Sequence, residues 1–148
     1  MEDMLRNNGT LEARALELGK LLDDHRGGEV VVMDMRNLNF WTDFFVIATV
    51  SSSTHSGGMQ KHIKEFVSER GMEILLRTRK LKTGSAQLSG EPESEELGPD
   101  EWQLLDLGGI VIHLMTAKAR SFYELERLWS SAPLIFKGTG ESQSSKSS

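Results

Sequence analysis

The spacing of apolar residues along the chain predicts which segments are helices and which are strands. A first helix is predicted from residues at helical spacing: Leu11, Ala15, Leu18 and Leu22. Thr10 is the expected N-cap of this helix, and Gly27-Gly28 is expected to end it. Two nearly unbroken apolar runs follow, Val30–Met35 and Asp43–Val50, and they are typical of strands covered on both faces.

A second helix and a third strand are predicted next. The residues of Ser51–Thr54 provide turn and capping groups, and Gly71 is expected to close the helix. Its apolar face is formed by Met59, Ile63, Phe66 and Val67. Met72–Leu76 is predicted as the third strand. From 77 to 100 the chain turns polar and rich in glycine and proline, which indicates a long loop.

A β-hairpin is the clearest local pattern. Gln103–Leu107 and Ile110–Met115 are apolar runs of strand length, and Gly108-Gly109 between them favours a tight turn. This turn pairs Leu107 with Ile110, Leu105 with Ile112, and Gln103 with Leu114, so that these six residues share a core face. The opposite face is mixed and is expected to be available for binding; it carries Trp102, Leu104, Asp106, Val111, His113 and Met115.

A last helix is expected after the hairpin, with Thr116 as its N-cap. Its predicted core stripe is Ala119, Phe122, Leu125 and Trp129. Tyr123 falls outside this stripe, and the spacing pairs Arg120 with Glu124 and Tyr123 with Arg127. The position of Tyr123 fits an interface anchor and fits equally a half-exposed ring that covers the helix surface.

These elements predict one α/β domain with a mixed β-sheet flanked by helices. The helix between the second and third strands allows those strands to be parallel, whereas the hairpin must be antiparallel. The predicted boundaries are a flexible N-terminus at 1–9, a domain at 10–132 with the loop insertion at 77–100, and a disordered serine-rich tail at 133–148.

Composition narrows the class of protein. The chain has 148 residues, of which 38% are hydrophobic, enough for one domain with its own core. It has no cysteine, which excludes disulfides and thiolate metal sites. The apolar runs are too short to cross a bilayer, and the first residues lack the features of a signal peptide. A soluble cytoplasmic protein is therefore expected.

Charge argues against broad nucleic-acid binding. The net charge is −5 and the pI is about 5.4, whereas sequence-independent binding to nucleic acid requires a basic surface. Basic residues cluster in Lys61–Lys82 and acidic residues in Glu91–Glu101, and both segments fit solvated surface. Little direct contact with nucleic acid and no contact with membranes are expected.

Catalytic patterns are weak. Three carboxylates lie in or beside predicted strands: Asp34, Asp43 and Asp106. A nucleotidyltransferase needs two carboxylates one residue apart on a strand, but Asp34-Met35-Arg36 has a cation at the second position. The segment Ser51–Gly58 fits helix capping better than anion binding, and the spacing of the histidines does not predict a zinc site. We therefore expect no catalytic residue, no metal and no cofactor.

The segment Trp102–Trp129 closely resembles the C-terminal signature of the ribosomal silencing factor (Iojap-like) family. The matching parts are W-x-L-L-D-L-G, I-V-I-H and R-S-F-Y-E-L-E-R-L-W. Thr42–Ala48, followed by the serine-rich segment with His55, is a second match. The resemblance covers roughly Leu11 to Ala132.

The resemblance implies a fold like a nucleotidyltransferase core that lacks the catalytic residues. It also implies a function: family members bind the large ribosomal subunit through the fourteenth protein of its L series, at the face that meets the small subunit. They thereby block subunit joining and repress translation, and some of them form homodimers. Two alternatives remain open on the residues alone, an enzyme with nucleotidyltransferase-like chemistry and a homodimeric interaction module.

The resemblance also assigns residues. Trp102 and Tyr123 match aromatic positions of the family's contact surface, and the charged positions beside them are matched by Glu124, Glu126 and Arg127. Asp106 matches the aspartate before the turn, where Gly109 stands in place of a usual second aspartate. With two further residues of the mixed face, the predicted partner-binding set is Trp102, Leu104, Asp106, His113, Tyr123, Glu124, Glu126 and Arg127.

Overall fold

The computed structural model describes the backbone of residues 2–38, 42–80, 86–88 and 102–138, and the side chains of 11–38, 42–75 and 102–138. Its helices are α1 (Glu2–Asp24), α2 (Ser53–Glu69), α3 (Ala117–Tyr123) and α4 (Leu125–Leu128), with a 3₁₀ turn at Arg36–Leu38. Its strands are β1 (Gly28–Asp34), β2 (Phe44–Thr49), β3 (Leu76–Lys80), β4 (Ala86–Leu88), β5 (Trp102–Asp106), β6 (Ile110–Met115) and β7 (Leu134–Lys137).

Within the described residues, seven strands form one mixed sheet in the order β4-β3-β5-β6-β2-β1-β7. Strands β2 and β6 are parallel, and the other neighbours are antiparallel. The predicted α/β fold with a mixed sheet is confirmed. The parallel pair that the helix between the second and third strands allows does not form, since these strands are not neighbours in the sheet. The tight turn makes β5 and β6 neighbours, β6 lies beside β2, and β3 therefore pairs on the far side of β5.

Helices cover both faces of the sheet. On the first face, α1 and α2 pack against a core that includes Leu18, Leu22 and Ile63. On the second face, α3 and α4 contribute Ala119 and Leu125 to a separate apolar cluster. The two clusters account for the nearly unbroken apolar runs of β1 and β2, since successive strand residues point to opposite faces.

Helix α1 is longer than its predicted extent. It begins at Glu2, so Thr10 lies within the helix and the prediction of Thr10 as the N-cap is wrong. Once a helix has formed, each added residue gains one backbone hydrogen bond. This gain offsets the weak helix propensity of Gly9. The helix ends at Asp24, three residues before Gly27, and Arg26 beyond it takes the left-handed conformation at φ 71°.

The predicted loop and tail both contain strands. Strand β3 begins at Leu76, the last residue of the predicted third strand, and it lies with β4 inside the predicted loop 77–100. The rest of that loop, 81–85 and 89–100, lies outside the described residues. Strand β7 falls in the segment 133–148 that was predicted to be disordered, so this part of the prediction is wrong. Its residues pair with the apolar edge of β1, and Phe136 packs against the first core.

No helix in the described part of the chain combines the length and the apolar character needed to cross a bilayer.

Candidate binding surface

The hairpin has the predicted register. Leu105 pairs with Ile112 and Gln103 with Leu114, and the amide of Leu107 donates to the carbonyl of Ile110 over 2.8 Å. Gly108 takes the positive φ of 105° that the turn requires. The core face is thereby confirmed, and the register places the remaining side chains of the hairpin on the second face.

The second face is largely covered, which corrects the expectation that it is available for binding. Val111, His113 and Met115 are at most 3% exposed, because the apolar cluster of the second face closes over them. Trp102 and Leu104 are half-buried at the rim of that cluster. The sequence pattern indicated the mixed polarity of this face. It did not indicate that the helical segment after the hairpin covers it.

The helical segment after the hairpin is broken in two. Thr116 is the N-cap of α3, as predicted, and accepts a hydrogen bond from the amide of Ala119 over 3.2 Å. The helix stops at Tyr123, since Glu124 takes the left-handed conformation at φ 48° before α4 begins. Before the break, α3 buries Ala119 and Arg120, so its buried face differs from the predicted stripe. Phe122, predicted to be core, is 64% exposed.

The break also changes the predicted side-chain pairs. Arg120, expected on the polar face beside Glu124, is 7% exposed and forms an ion pair with Glu126 over 2.6 Å. Arg127, expected beside Tyr123, pairs with Glu124 over 3.2 Å. The predicted core positions Ala119 and Leu125 are buried, and Trp129 is half-buried against the second cluster.

Four ring-bearing side chains form a continuous row from the surface into the second core. The ring of Phe122 meets that of Tyr123 edge-on at 5.0 Å, and Tyr123 meets Trp102 at 4.8 Å between centroids. Trp102 in turn lies 5.6 Å from the ring of His113. Exposure falls along this aromatic row from 64% at Phe122 to 3% at His113. Its outer end presents rigid aromatic area, which is typical of interface anchors.

A hydrogen bond fixes the inner end of the aromatic row. The indole Nε1–H of Trp102 donates to Nδ1 of His113 over 2.9 Å. Since Nδ1 accepts, the proton of the neutral imidazole lies on Nε2. That Nε2 has no hydrogen-bond partner within the described part of the chain. Burial lowers the pKa of His113 to about 3, so the ring is neutral near pH 7.

The charged candidates on and beside α4, namely Glu124, Glu126 and Arg127, line a cavity of about 570 Å³. Arg120 lies in its wall, where Nη1 donates to the carbonyl of Gly28 and to Oγ1 of Thr49 over 3.1 and 3.0 Å. Its Nε and Nη2 donate to the carboxylate of Glu126. Arg120 thereby ties α3 and α4 to the ends of β1 and β2.

Two of the three aspartates that lie in or beside strands, Asp34 and Asp106, have structural partners for their side chains. Asp34 forms a bidentate ion pair with Arg36 over 2.7 and 2.9 Å, and these hydrogen bonds hold the pKa of Asp34 below its usual value. Asp106 accepts a hydrogen bond from the amide of Gly108 over 2.8 Å, which stabilises the turn. In the described residues, no three histidine or carboxylate side chains are grouped to hold a metal ion.

The serine-rich segment caps a helix, as its sequence favours. Ser52 is the N-cap of α2 and accepts a hydrogen bond from the amide of His55 over 3.0 Å. The amide of Ser51 donates to the ring of His55 over 3.0 Å, so the histidine completes the turn between β2 and α2.

Comparison with known proteins decides the family. The family model described as "Ribosomal silencing factor during starvation" matches residues 8–148. The chain belongs to the ribosomal silencing factor family. A ribosomal silencing factor of Treponema pallidum is 32% identical over 115 residues, which cover 78% of this chain and 88% of that protein. One from Bacillus subtilis is 28% identical over 121 residues, or 82% of this chain and 88% of that protein.

The similarity extends to plants and to solved structures. The chloroplastic protein Iojap of Arabidopsis thaliana is 28% identical over 123 residues, which are 83% of this chain and 44% of that protein. A Bacillus halodurans crystal structure is 26% identical, with a TM-score of 0.57, and the match covers 86% of this chain and 98% of that one. A Chromobacterium violaceum structure is 21% identical with a TM-score of 0.60, and it supports the fold.

The structure brings part of the predicted partner-binding set together. Trp102, Tyr123 and His113 are joined in the aromatic row, and Leu104 lies at the same rim. Asp106 lies four residues along β5 from Trp102, about 13 Å away at the rise of a strand. The glutamates and Arg127 lie by the cavity. Sequence reasoning missed Phe122 as a surface residue, because the predicted stripe placed it beside Ala119, whereas α3 buries Ala119 together with Arg120.

Proposed function

We propose that the protein is a ribosomal silencing factor that binds the large ribosomal subunit and sterically blocks its joining with the small subunit, repressing translation. The family match over residues 8–148 carries this proposal. Following the family resemblance, the proposed contact on the ribosome is the fourteenth protein of the L series, at the intersubunit face. Steric blocking requires an affinity surface and no catalytic step, in keeping with relatives named as silencing factors.

We infer that the outer end of the aromatic row forms the centre of this affinity surface. Phe122 is 64% exposed and Tyr123 is half-buried behind it, with Trp102 supporting the ring of Tyr123. Glu124 and Arg127 are exposed beside these rings and supply a polar rim. Apolar centres with polar rims are the usual arrangement of interface hot spots. An acidic protein is well suited to dock on a basic ribosomal protein.

Sedimentation of separated subunits tests the function directly. The protein is expected to travel with the large subunit through a sucrose gradient and to reduce the fraction of joined particles when small subunits are added. Unchanged joining in the presence of saturating protein would contradict the proposal.

Alanine variants of the aromatic row test the surface. Trp102→Ala and Tyr123→Ala are each expected to weaken large-subunit binding by about 2 kcal/mol or more, as central aromatic anchors do. Phe122→Ala removes a mostly exposed ring, so it tests docking with little effect on folding. Leu134→Ala is the matched control: it removes an exposed apolar side chain on β7, four strand positions or about 19 Å from β5. Wild-type affinity in all three aromatic variants would reject this surface.

Self-association is the second candidate for the same surface. Leu128 on α4 is 65% exposed, close in sequence to Phe122, and two exposed apolar side chains in one segment also suit a homodimer contact. Light scattering at tens of micromolar distinguishes the two cases. A monomer that still binds large subunits excludes the dimer as the functional contact.

A further inference from the structure

His113 differs from the other residues of the second core in leaving a polar atom without a partner. It is 3% exposed and lies edge-on to the ring of Phe45 at 4.6 Å. Its Nε2 has no hydrogen-bond partner among the residues that the structure describes. A buried donor without an acceptor is a cost to folding, and an apolar side chain of similar size would avoid it. Packing therefore gives no reason for an imidazole here.

The other ring nitrogen supplies the reason. Nδ1 of His113 accepts the indole N–H of Trp102 over 2.9 Å, at the place where the indole passes from the rim into the core. This bond restrains the orientation of the indole. The ring of Tyr123 leans on the same indole at 4.8 Å, so the position of Tyr123 depends on it as well.

We propose that His113 is a positioning residue, which holds the indole of Trp102 in the orientation that the partner recognises and does not itself touch the partner. This inference rests on the proposed function and assigns a role within its surface. A side chain that is fixed before association loses less conformational freedom on binding, and affinity rises accordingly. The burial of His113 is in keeping with an action through Trp102 and not with direct contact.

Two substitutions at position 113 separate positioning from packing. His113→Leu keeps an apolar side chain of similar size but has no acceptor. His113→Asn is smaller, yet its amide oxygen accepts hydrogen bonds from about the position of Nδ1. Positioning predicts that the asparagine variant retains function and the leucine variant loses it, whereas packing predicts the reverse order.

Large-subunit binding is the first measurement. His113→Leu is expected to weaken binding about tenfold, the equivalent of one hydrogen bond, and His113→Asn by about threefold or less. The urea midpoint of His113→Leu should stay close to that of the wild type, because the leucine removes the unsatisfied Nε2–H while the half-buried indole N–H of Trp102 loses one acceptor. A combined loss of binding and stability in the leucine variant, with no rescue by asparagine, would overturn the proposal.

A double-variant cycle tests whether the effect passes through Trp102. Trp102→Phe keeps an aromatic ring and removes the N–H donor. In the Trp102→Phe background, His113→Leu is expected to cause no further loss of binding. A further tenfold loss in that background would show that His113 acts without Trp102 and would overturn the proposal.

A measurement without ribosomes separates this inference from the proposed function. Indole N–H resonances of ¹⁵N-labelled protein report each tryptophan, and Trp102→Phe identifies the signal of Trp102. Hydrogen exchange of that signal is expected to be at least tenfold faster in His113→Leu than in the wild type, and close to wild type in His113→Asn. If the wild type does not bind large subunits, the proposed function fails, and unchanged exchange in His113→Leu rejects the positioning role independently.

Discussion

Two helices are followed by a residue in the left-handed backbone conformation, after which the chain changes direction. Arg26 takes φ 71° after α1, and Glu124 takes φ 48° between α3 and α4. After α1 the amide of Gly27 donates to the carbonyl of Leu22, and that of Arg26 to Asp23, which together form a Schellman cap. Glycine is the usual residue at the left-handed position of this cap, so Arg26 is held there at a conformational cost.

Arg26→Gly is therefore expected to stabilise the protein by about 0.5–1 kcal/mol, since the left-handed conformation carries no steric penalty for glycine. Urea unfolding monitored by circular dichroism measures the change. Arg26→Ala is the control, because it removes the exposed guanidinium but keeps the Cβ atom, and it should leave stability nearly unchanged. A lower midpoint for the glycine variant would show that the arginine contributes something other than strain.

Local chemistry was predictable at the residue scale wherever neighbours in sequence supply the partner. Thr116 and Ser52 cap the helices that follow them, and Gly108 forms the turn of the hairpin. The left-handed conformation of Glu124 was not predictable, because no side-chain preference indicates it and tertiary contacts impose it. One such contact is the pairing of Arg120 with Glu126 across the break.

Close approach between elements sets the packing of α1 on the sheet. A Cβ atom at Gly19 would lie 2.7 Å from Cγ2 of Val32 and 3.0 Å from the ring of Phe136. Val32 is fully buried and its branched side chain has little rotational freedom, so the contact cannot relax easily. The glycine lets α1 lie close to β1 and β7 at this point.

Gly19→Ala is expected to destabilise the protein by about 1 kcal/mol, although alanine is the better helix former. The gain in helix propensity is about 1 kcal/mol, whereas overpacking a tight core costs about 1–3 kcal/mol. Gly58→Ala in α2 is the matched control, because a Cβ atom there meets nothing within 4 Å. That variant should be more stable by up to about 1 kcal/mol. Equal unfolding midpoints for the two variants would contradict the packing argument.

The hairpin shows which features of a single element can be predicted from its sequence pattern. Its register follows from the turn and from the alternation of side chains, both of which are local, and the structure has that register. Whether the second face is open depends on what lies over it, which is a matter of tertiary structure. The covering helix was predicted as an element, but its buried face holds Arg120 and leaves Phe122 exposed, which the apolar spacing did not indicate.

At the scale of the whole molecule, the fold class was predictable and the strand order was not. Helices and strands alternate in a way that requires a mixed sheet with helices on its faces. The parallel pairing of β2 with β6 joins segments far apart in sequence, and the edge strand β7 has only four residues. Short edge strands carry weak sequence signals, since their pairing depends on an edge that another part of the chain supplies.

Folding of the whole molecule is coupled to protonation through the buried imidazole of His113. His113 has a pKa of about 3 in the folded state because burial disfavours the charged imidazole, while an exposed histidine in the unfolded chain titrates near 6.5. Below pH 6.5 the unfolded state therefore binds a proton that the folded state does not. The contribution of His113 to stability therefore falls as pH decreases through this window and levels off near pH 3, where the imidazole is protonated in both states.

Between pH 6 and pH 4, His113 is expected to lower the free energy of unfolding by about 1.4 kcal/mol for each pH unit over most of that range. Asp34, whose pKa is lowered by its hydrogen bonds with Arg36, also loses stabilisation on acidification, but only near and below the ordinary aspartate pKa of 3.8. The contribution of Asp34 is the same in the wild type and in His113→Leu, because both proteins retain the Asp34–Arg36 pair. It therefore cancels when one unfolding free energy is subtracted from the other. Urea unfolding at half-unit pH steps should show this difference shifting steadily in favour of the leucine variant as pH falls. A difference that is independent of pH would mean that the imidazole is protonated as readily in the folded protein as in the unfolded chain.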